Sequence, residues 1–190
     1  MIAKRDTAAR GSASAADDVM AAVTARAGYM MGENVDRAWS RDHAAAWEGF
    51  LDVARHLRRA AEGVLEPIGG LSVSMLGIMG RLARTESMTL RQTDLAEAMG
   101  LSFSRVSRLI DTLESRELVG RRPCPSDARA TNVTLTPAGL ALTRRAQDAV
   151  FAFVEEQFFE GLDEDEVATL ADVFTRLVGR RGGTVDGSCE

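Results

Sequence analysis

The chain has 190 residues, 45% hydrophobic, 27% charged and 5% aromatic, a balance that suits one compact domain with its own core plus a polar extension. Its two cysteines, Cys124 and Cys189, resemble neither a disulfide framework nor paired metal knuckles. No apolar run reaches the roughly 18 residues a bilayer demands and Lys4-Arg5 precedes no signal-peptide core, so a cytoplasmic protein without a membrane partner is expected.

Residues 1–38 read as a flexible extension, small and polar at first, then carrying Val19, Met20, Val23, Ala27, Met30 and Met31 at the spacing of an accessory helix over 17–31. A stronger helix is predicted over 41–65, where Trp47, Phe50, Leu51, Ala54, Leu57, Ala61, Val64 and Leu65 form one stripe; Ser40 caps it, and Pro67 with Gly69-Gly70 ends it. A second helix follows over 72–84 with Met75, Leu76, Met79 and Leu82, methionines that suit core filling. Thr89 and Gln92 have the spacing of a capping box and predict a helix that runs to Met99 and stops at Gly100. Ser102 caps the next, with Leu101 and Val106 as a staple and Leu109, Ile110 and Leu113 on its apolar side. The product is helix, tight turn, helix.

After Leu118 the period changes to alternation, and residues 119–122 and 132–136 read as a two-stranded hairpin whose tip holds Pro123, Pro125, Ser126 and Asp127. Thr136-Pro137 then supplies a cap and a first-turn proline for a helix reaching Phe159, lined by Leu142, Ala146, Ala149, Val150, Phe153 and Val154. A last helix starts at Asp163, boxed by Glu166 and stapled by Leu162 and Val167, and is expected to bury Leu170, Ala171, Phe174, Leu177 and Val178. Residues 182–190 read as a disordered tail. The fold class is therefore mainly α with a small β-hairpin: a winged helix-turn-helix over about 72–136 and a helical region formed by 41–65 and 137–179.

The net charge of −5 disfavours a polyanionic partner on average, but it is unevenly spread. Residues 101–131 hold six arginines against four acids, whereas from Arg144 onwards five arginines meet eleven acids. A helix starting at Ser102 projects Ser102, Phe103, Ser104, Arg105, Ser107 and Arg108 from its first turns into a major groove about 12 Å wide. Arginine's planar fork matches guanine O6 and N7, serines reach phosphates or bases, and Phe103 suits a thymine methyl. In the wing, Arg129 is placed to enter a minor groove with Asp127 holding the loop, while Arg121 and Arg122 sit at its base near the DNA backbone.

These residues resemble the MarR family of bacterial transcription regulators over about 41–180, most densely over 89–139. The resemblance rests on Leu95-Ala96, the stretch from Gly100 to Asp111, Leu118-Val119 through Arg122, the wing pair Asp127 and Arg129, and Leu135-Thr-Pro-Ala-Gly139, in this order and spacing. It implies a homodimer, usually a repressor, whose DNA affinity is changed by a small aromatic or phenolic ligand. It also implies a ligand site bordered by the 41–65 and 72–84 helices, for which Trp47, His56, Met75 and Met79 are the candidates, with Arg55 beside His56. Two departures stand out. Glu117 occupies a place where the family often has glycine, so a left-handed turn there costs about 1 kcal/mol, and Ala128 replaces an arginine often found between the wing's Asp and Arg.

The apolar surface of the helices over 41–65, 137–159 and 163–179 exceeds what a small winged domain can cover, which independently points to a second copy and a pseudo-palindromic operator. His43 and His56 lie about 220° apart around a helix, so no two-histidine metal site is expected, and Asp52 and His56 are spaced for a surface pair. Nothing resembles a phosphate-cradling loop or a partnered nucleophile, so neither an enzyme nor a cofactor is expected. Cys124 has basic neighbours that would favour a thiolate, but an incidental cysteine is the expected reading. The competing reading is a ligand-binding or protein-interaction relative with weak or no DNA binding, favoured by the overall negative charge and Ala128.

Overall fold

A computed structural model describes residues 39–124 and 127–179; the side chains of residues 127–129 are outside that description. The predicted accessory helix over 17–31, the tail over 182–190 and Cys189 lie outside the described residues. Helix α1 spans Arg41–Leu65 and is followed by a 3₁₀ turn, Glu66–Ile68. Two compact units divide within α1, one up to Leu57 and one from Arg58 onwards. In the second unit come α2 (Val73–Arg84), β1 (Thr89–Arg91), α3 (Gln92–Met99), α4 (Phe103–Ser115), β2 (Val119–Cys124), β3 (Asp127–Leu135), α5 (Pro137–Val154) and α6 (Glu164–Gly179).

Most helix starts follow their predicted chemistry. Thr136 caps α5 as expected by accepting from the Gly139 N–H, and Ser72, predicted as the first helical residue, caps α2 by accepting from the Met75 N–H. At α6 the reciprocal box forms: Asp163 Oδ1 accepts from the Glu166 N–H at 2.8 Å, and Glu166 Oε2 from the Asp163 N–H at 2.9 Å.

Four expectations are corrected. The Thr89–Gln92 capping box does not form, because Thr89–Arg91 is a strand and the helix starts at Gln92. Strand β1 pairs antiparallel with β3, and the Thr89 hydroxyl meets the Thr134 hydroxyl across the ladder at 2.9 Å, so the sheet has three strands in the order β1-β3-β2 rather than two. The helix predicted to reach Phe159 widens after Val154 into a π turn, Glu155–Phe159, closed by Glu160 N–H donating to Glu155 O. Finally, α6 buries nothing fully within the chain. Phe174, Leu177 and Val178 remain 39%, 50% and 68% exposed.

The core lies under the sheet and between the central helices. Leu65, Leu71, Ile78, Met79, Leu82, Leu95, Val106, Ile110, Leu113, Val133 and Leu135 meet there, and α2 packs on α3, α4, α5 and β3. Arg81 ties the helix-turn-helix to α2 by donating to the Ala98 carbonyl at 2.6 Å near the end of α3, an acceptor that lacks a partner within its own helix.

The end of α4 is joined to the start of α5. Glu117 has φ +58°, and around it Leu118 N–H donates to Leu113 O and Glu117 N–H to Glu114 O, the double bond pattern of a Schellman turn. Leu118 and Leu113 are both buried beneath it. The Thr136 hydroxyl donates to Glu117 O at 2.8 Å, and Thr136 N–H donates to Leu118 O. Gly139 sits so close that a Cβ there would lie 2.1 Å from Leu118 O. Two predictions follow from this joint. Glu117→Gly relieves the left-handed strain and raises stability by about 0.5–1 kcal/mol in urea unfolding. Gly139→Ala forces the two helix ends apart and lowers it by roughly 2–3 kcal/mol or more.

Candidate nucleic-acid interface

Helix α4 divides cleanly by burial. Val106, Ile110 and Leu113 are fully buried, and the opposite side presents Ser102, Phe103, Ser104, Arg105 and Arg108, all exposed, with Ser107 half-buried. Ser102 holds the extended backbone of an N-cap (φ −65°, ψ 146°), but its hydroxyl meets the Ser104 hydroxyl at 3.3 Å instead of capping the helix as expected. Arg105 N–H turns back to the Ser102 carbonyl at 3.0 Å and no hydroxyl caps the exposed helix start, where the helix dipole favours an anion such as phosphate. Arg108 reaches back only to the Ser104 carbonyl at 3.4 Å. Among the described residues, Arg105, Arg108 and Arg122 make no ion pair, so their charge is available outward.

The other two arginines of this region with described side chains are committed to the fold. Arg116 donates to the carbonyls of Gly69 and Gly70, holding the end of α4 against the turn before α2. Arg121, expected near the DNA backbone, bonds to α4. Its guanidinium donates to Asp111 Oδ1 and Glu114 Oε2, both at 2.6 Å, and to the Ser107 carbonyl at 3.1 Å, while its backbone N–H donates to Glu114 Oε1 at 3.0 Å. Desolvation works to lower the Arg121 pKa, but the hydrogen bonds and charges of Glu114 and Asp111 outweigh it and raise the pKa above its ordinary value. A sequence signal for this contact existed: two carboxylates three residues apart on a helix meant for phosphate need a cation beside them.

Asp127 and Arg129 are placed by the backbone in β3, beyond the irregular register at Pro123/Cys124. Cys124 is 3% exposed, with Arg91 Nη2 3.9 Å from its sulfur. Basic surroundings are present as the sequence suggested, but burial keeps reagents from the thiol.

The residues singled out for a ligand site divide. Trp47 is exposed and makes an edge contact with Trp39 at 6.4 Å and a tilted one with Phe50 at 6.3 Å; His56 is also exposed. Met75 is half-buried against the core, and Met79 is fully buried within it. Asp52 pairs with Arg55 at 2.8 Å and His43 Nδ1 meets the Ser40 hydroxyl at 2.6 Å; among the described residues no three metal-ligating side chains cluster. An open cavity of about 400 Å³ lies at the start of α6, lined by Leu162, Asp163, Asp165, Glu166, Thr169 and Leu170, none of them a predicted ligand residue.

The sequence model of the MarR family matches residues 71–131, which hold the helix-turn-helix and most of the wing. AbsC, a MarR family transcriptional regulator from Streptomyces coelicolor, is 30% identical, with a TM-score of 0.70 over 76% of this chain and 97% of AbsC. Sco3205, a MarR family transcriptional regulator from the same organism solved in complex with DNA, shares the fold at 24% identity and a TM-score of 0.71, over 82% of this chain and 97% of its own. CouR from Rhodococcus jostii RHA1, solved bound to p-coumaroyl-CoA, is 25% identical with a TM-score of 0.61, over 70% of this chain and 90% of its own.

In the folded protein carrying Cys189→Ser, Cys124 should react with a thiol reagent on the order of a hundredfold more slowly than after unfolding in urea. Equal rates would mean that the thiol is open and the wing base loosely held.

Proposed function

Because this chain belongs to the MarR family of transcriptional regulators, we propose that it acts as a homodimeric repressor that binds a pseudo-palindromic operator and is released by a small aromatic or phenolic ligand. The observation that carries the DNA-binding part is the outward face of α4, where two unpaired arginines and two serines sit opposite a fully buried apolar face. On this reading Arg105 and Arg108 contact guanine edges or flanking phosphates, Ser102, Ser104 and Ser107 the backbone or bases, and Phe103 a thymine methyl. Arg122 meets phosphate at the base of the wing, and Arg129 enters the minor groove with Asp127 as its support.

Dimerisation is supported by apolar side chains left in water on the helices outside the winged region. Phe151 is 70% exposed, and Phe174, Leu177 and Val178 repeat the pattern on α6, a burden that a second copy relieves. Two recognition helices then stand about 34 Å apart, one turn of duplex. Trp47 and His56, exposed on α1, are assigned to effector contact, and CouR's ligand supports an aromatic acyl or phenolic chemistry.

The second reading, a relative with weak or no DNA binding, is favoured by the net charge of −5 and by Ala128. Titration against the DNA upstream of the protein's own gene at two salt concentrations separates them. The repressor reading predicts competitor-resistant binding that falls steeply with salt. Arg129→Ala should weaken it by about 1–3 kcal/mol while sedimentation still gives a dimer. Unchanged affinity removes Arg129 from the interface; no binding at low salt favours the second reading.

A further inference from the structure

We propose that Arg121 is a positioning residue for DNA binding: it fixes the angle between the wing and the recognition helix and does its work without touching DNA. The inference rests on the DNA-binding reading above and assigns Arg121 a role different from the backbone contact that its sequence position suggested. Residue 121 opposes the fully buried Val133 in the β2–β3 ladder, so its side chain leaves the sheet on the face turned toward α4 rather than outward. There it meets three acceptors on successive turns of α4: the Ser107 carbonyl, Asp111 Oδ1 and Glu114 Oε2. Glu114 takes two bonds from the same residue, one from the guanidinium and one from the backbone N–H, so helix and strand are fixed in both translation and rotation.

The fork of a guanidinium is what makes this work, since its planar donors serve two carboxylates and a carbonyl at once. The Arg121 side chain is 21% exposed while Asp111 and Glu114 are 61% and 40% exposed, so the fork's several simultaneous bonds rather than burial carry the contact. Binding a duplex with helix and wing together requires both to fit at once, so a wing free to swing loses the benefit of the second contact. Without Arg121, Asp111 and Glu114 would also present two uncompensated carboxylates on the recognition helix.

The test uses the full chain with Arg121→Gln, Arg121→Lys and the double variant Asp111→Asn/Glu114→Gln. Operator affinity is measured across salt concentrations, and amide hydrogen exchange is measured in the free protein. Arg121→Gln should weaken binding about 10- to 100-fold with the salt slope unchanged, and Arg121→Lys, a single ammonium, should recover part of the loss. The double variant removes two negative charges beside the duplex and by charge alone should bind more tightly; a lost brace makes it bind about tenfold more weakly instead. Both glutamine-bearing variants should speed exchange in β2 and β3 about tenfold or more while α2 and α5 keep their protection. A salt slope reduced by about one, with tighter binding by the double variant, would make Arg121 a phosphate contact and overturn the proposal. Unchanged wing exchange would overturn it as well. A wild-type protein that ignores operator DNA counts against the functional reading, while the exchange comparison, made without DNA, still decides the brace.

Discussion

The orientation of α4 depends on the burial of Val106, Ile110 and Leu113, which lie at the helical repeat and are wholly removed from water. Each contributes roughly 1.5–3 kcal/mol through burial, so the helix cannot roll about its axis without losing several kcal/mol at once. That constraint turns the remaining face outward, so Ser102, Ser104, Arg105 and Arg108 project from a backbone whose orientation is fixed. The Schellman turn at Glu117 then holds the end of the helix, and Thr136 and Gly139 carry that constraint into α5. A shift of α5 therefore moves the end of α4, so the two helices are mechanically linked through this joint.

Charge has to be read after the fold has allotted it. By composition, residues 101–131 carry six arginines, yet Arg116 is held by the carbonyls of Gly69 and Gly70 and Arg121 by two carboxylates. Those carboxylates, Asp111 and Glu114, are in turn half of the region's acids. Among the described side chains, what stays outward is Arg105, Arg108 and Arg122, a smaller but less opposed positive surface than the count suggested. The net charge of −5 says little about this face, because the described acids after Arg144, from Asp148 to Asp172, lie outside α4 and the wing.

Much of the fold was legible wherever the signal was local. The bounds of α1, the caps at Thr136 and Asp163, and the apolar stripe of α4 all follow from residues within a few positions of one another. Strand β1 was not legible, because three residues acquire strand geometry only by pairing with β3, and Thr89 with Gln92 imitates a helix start. The bonds from Arg121 to α4 depend likewise on the wing folding back, although the paired acids on α4 hinted at them. The apolar stripe of α6 was legible, and its exposed Phe174, Leu177 and Val178 carry that helical pattern turned outward.

The central claim is that the exposed face of α4 reads the duplex while α6 faces away from it. Placing a photo-activated cross-linking residue at position 105, and separately at position 174, in protein bound to operator DNA tests this directly. The account predicts cross-links to major-groove bases from position 105 and none from position 174. A stable complex that cross-links from 174, or that leaves 105 unlinked, would contradict it.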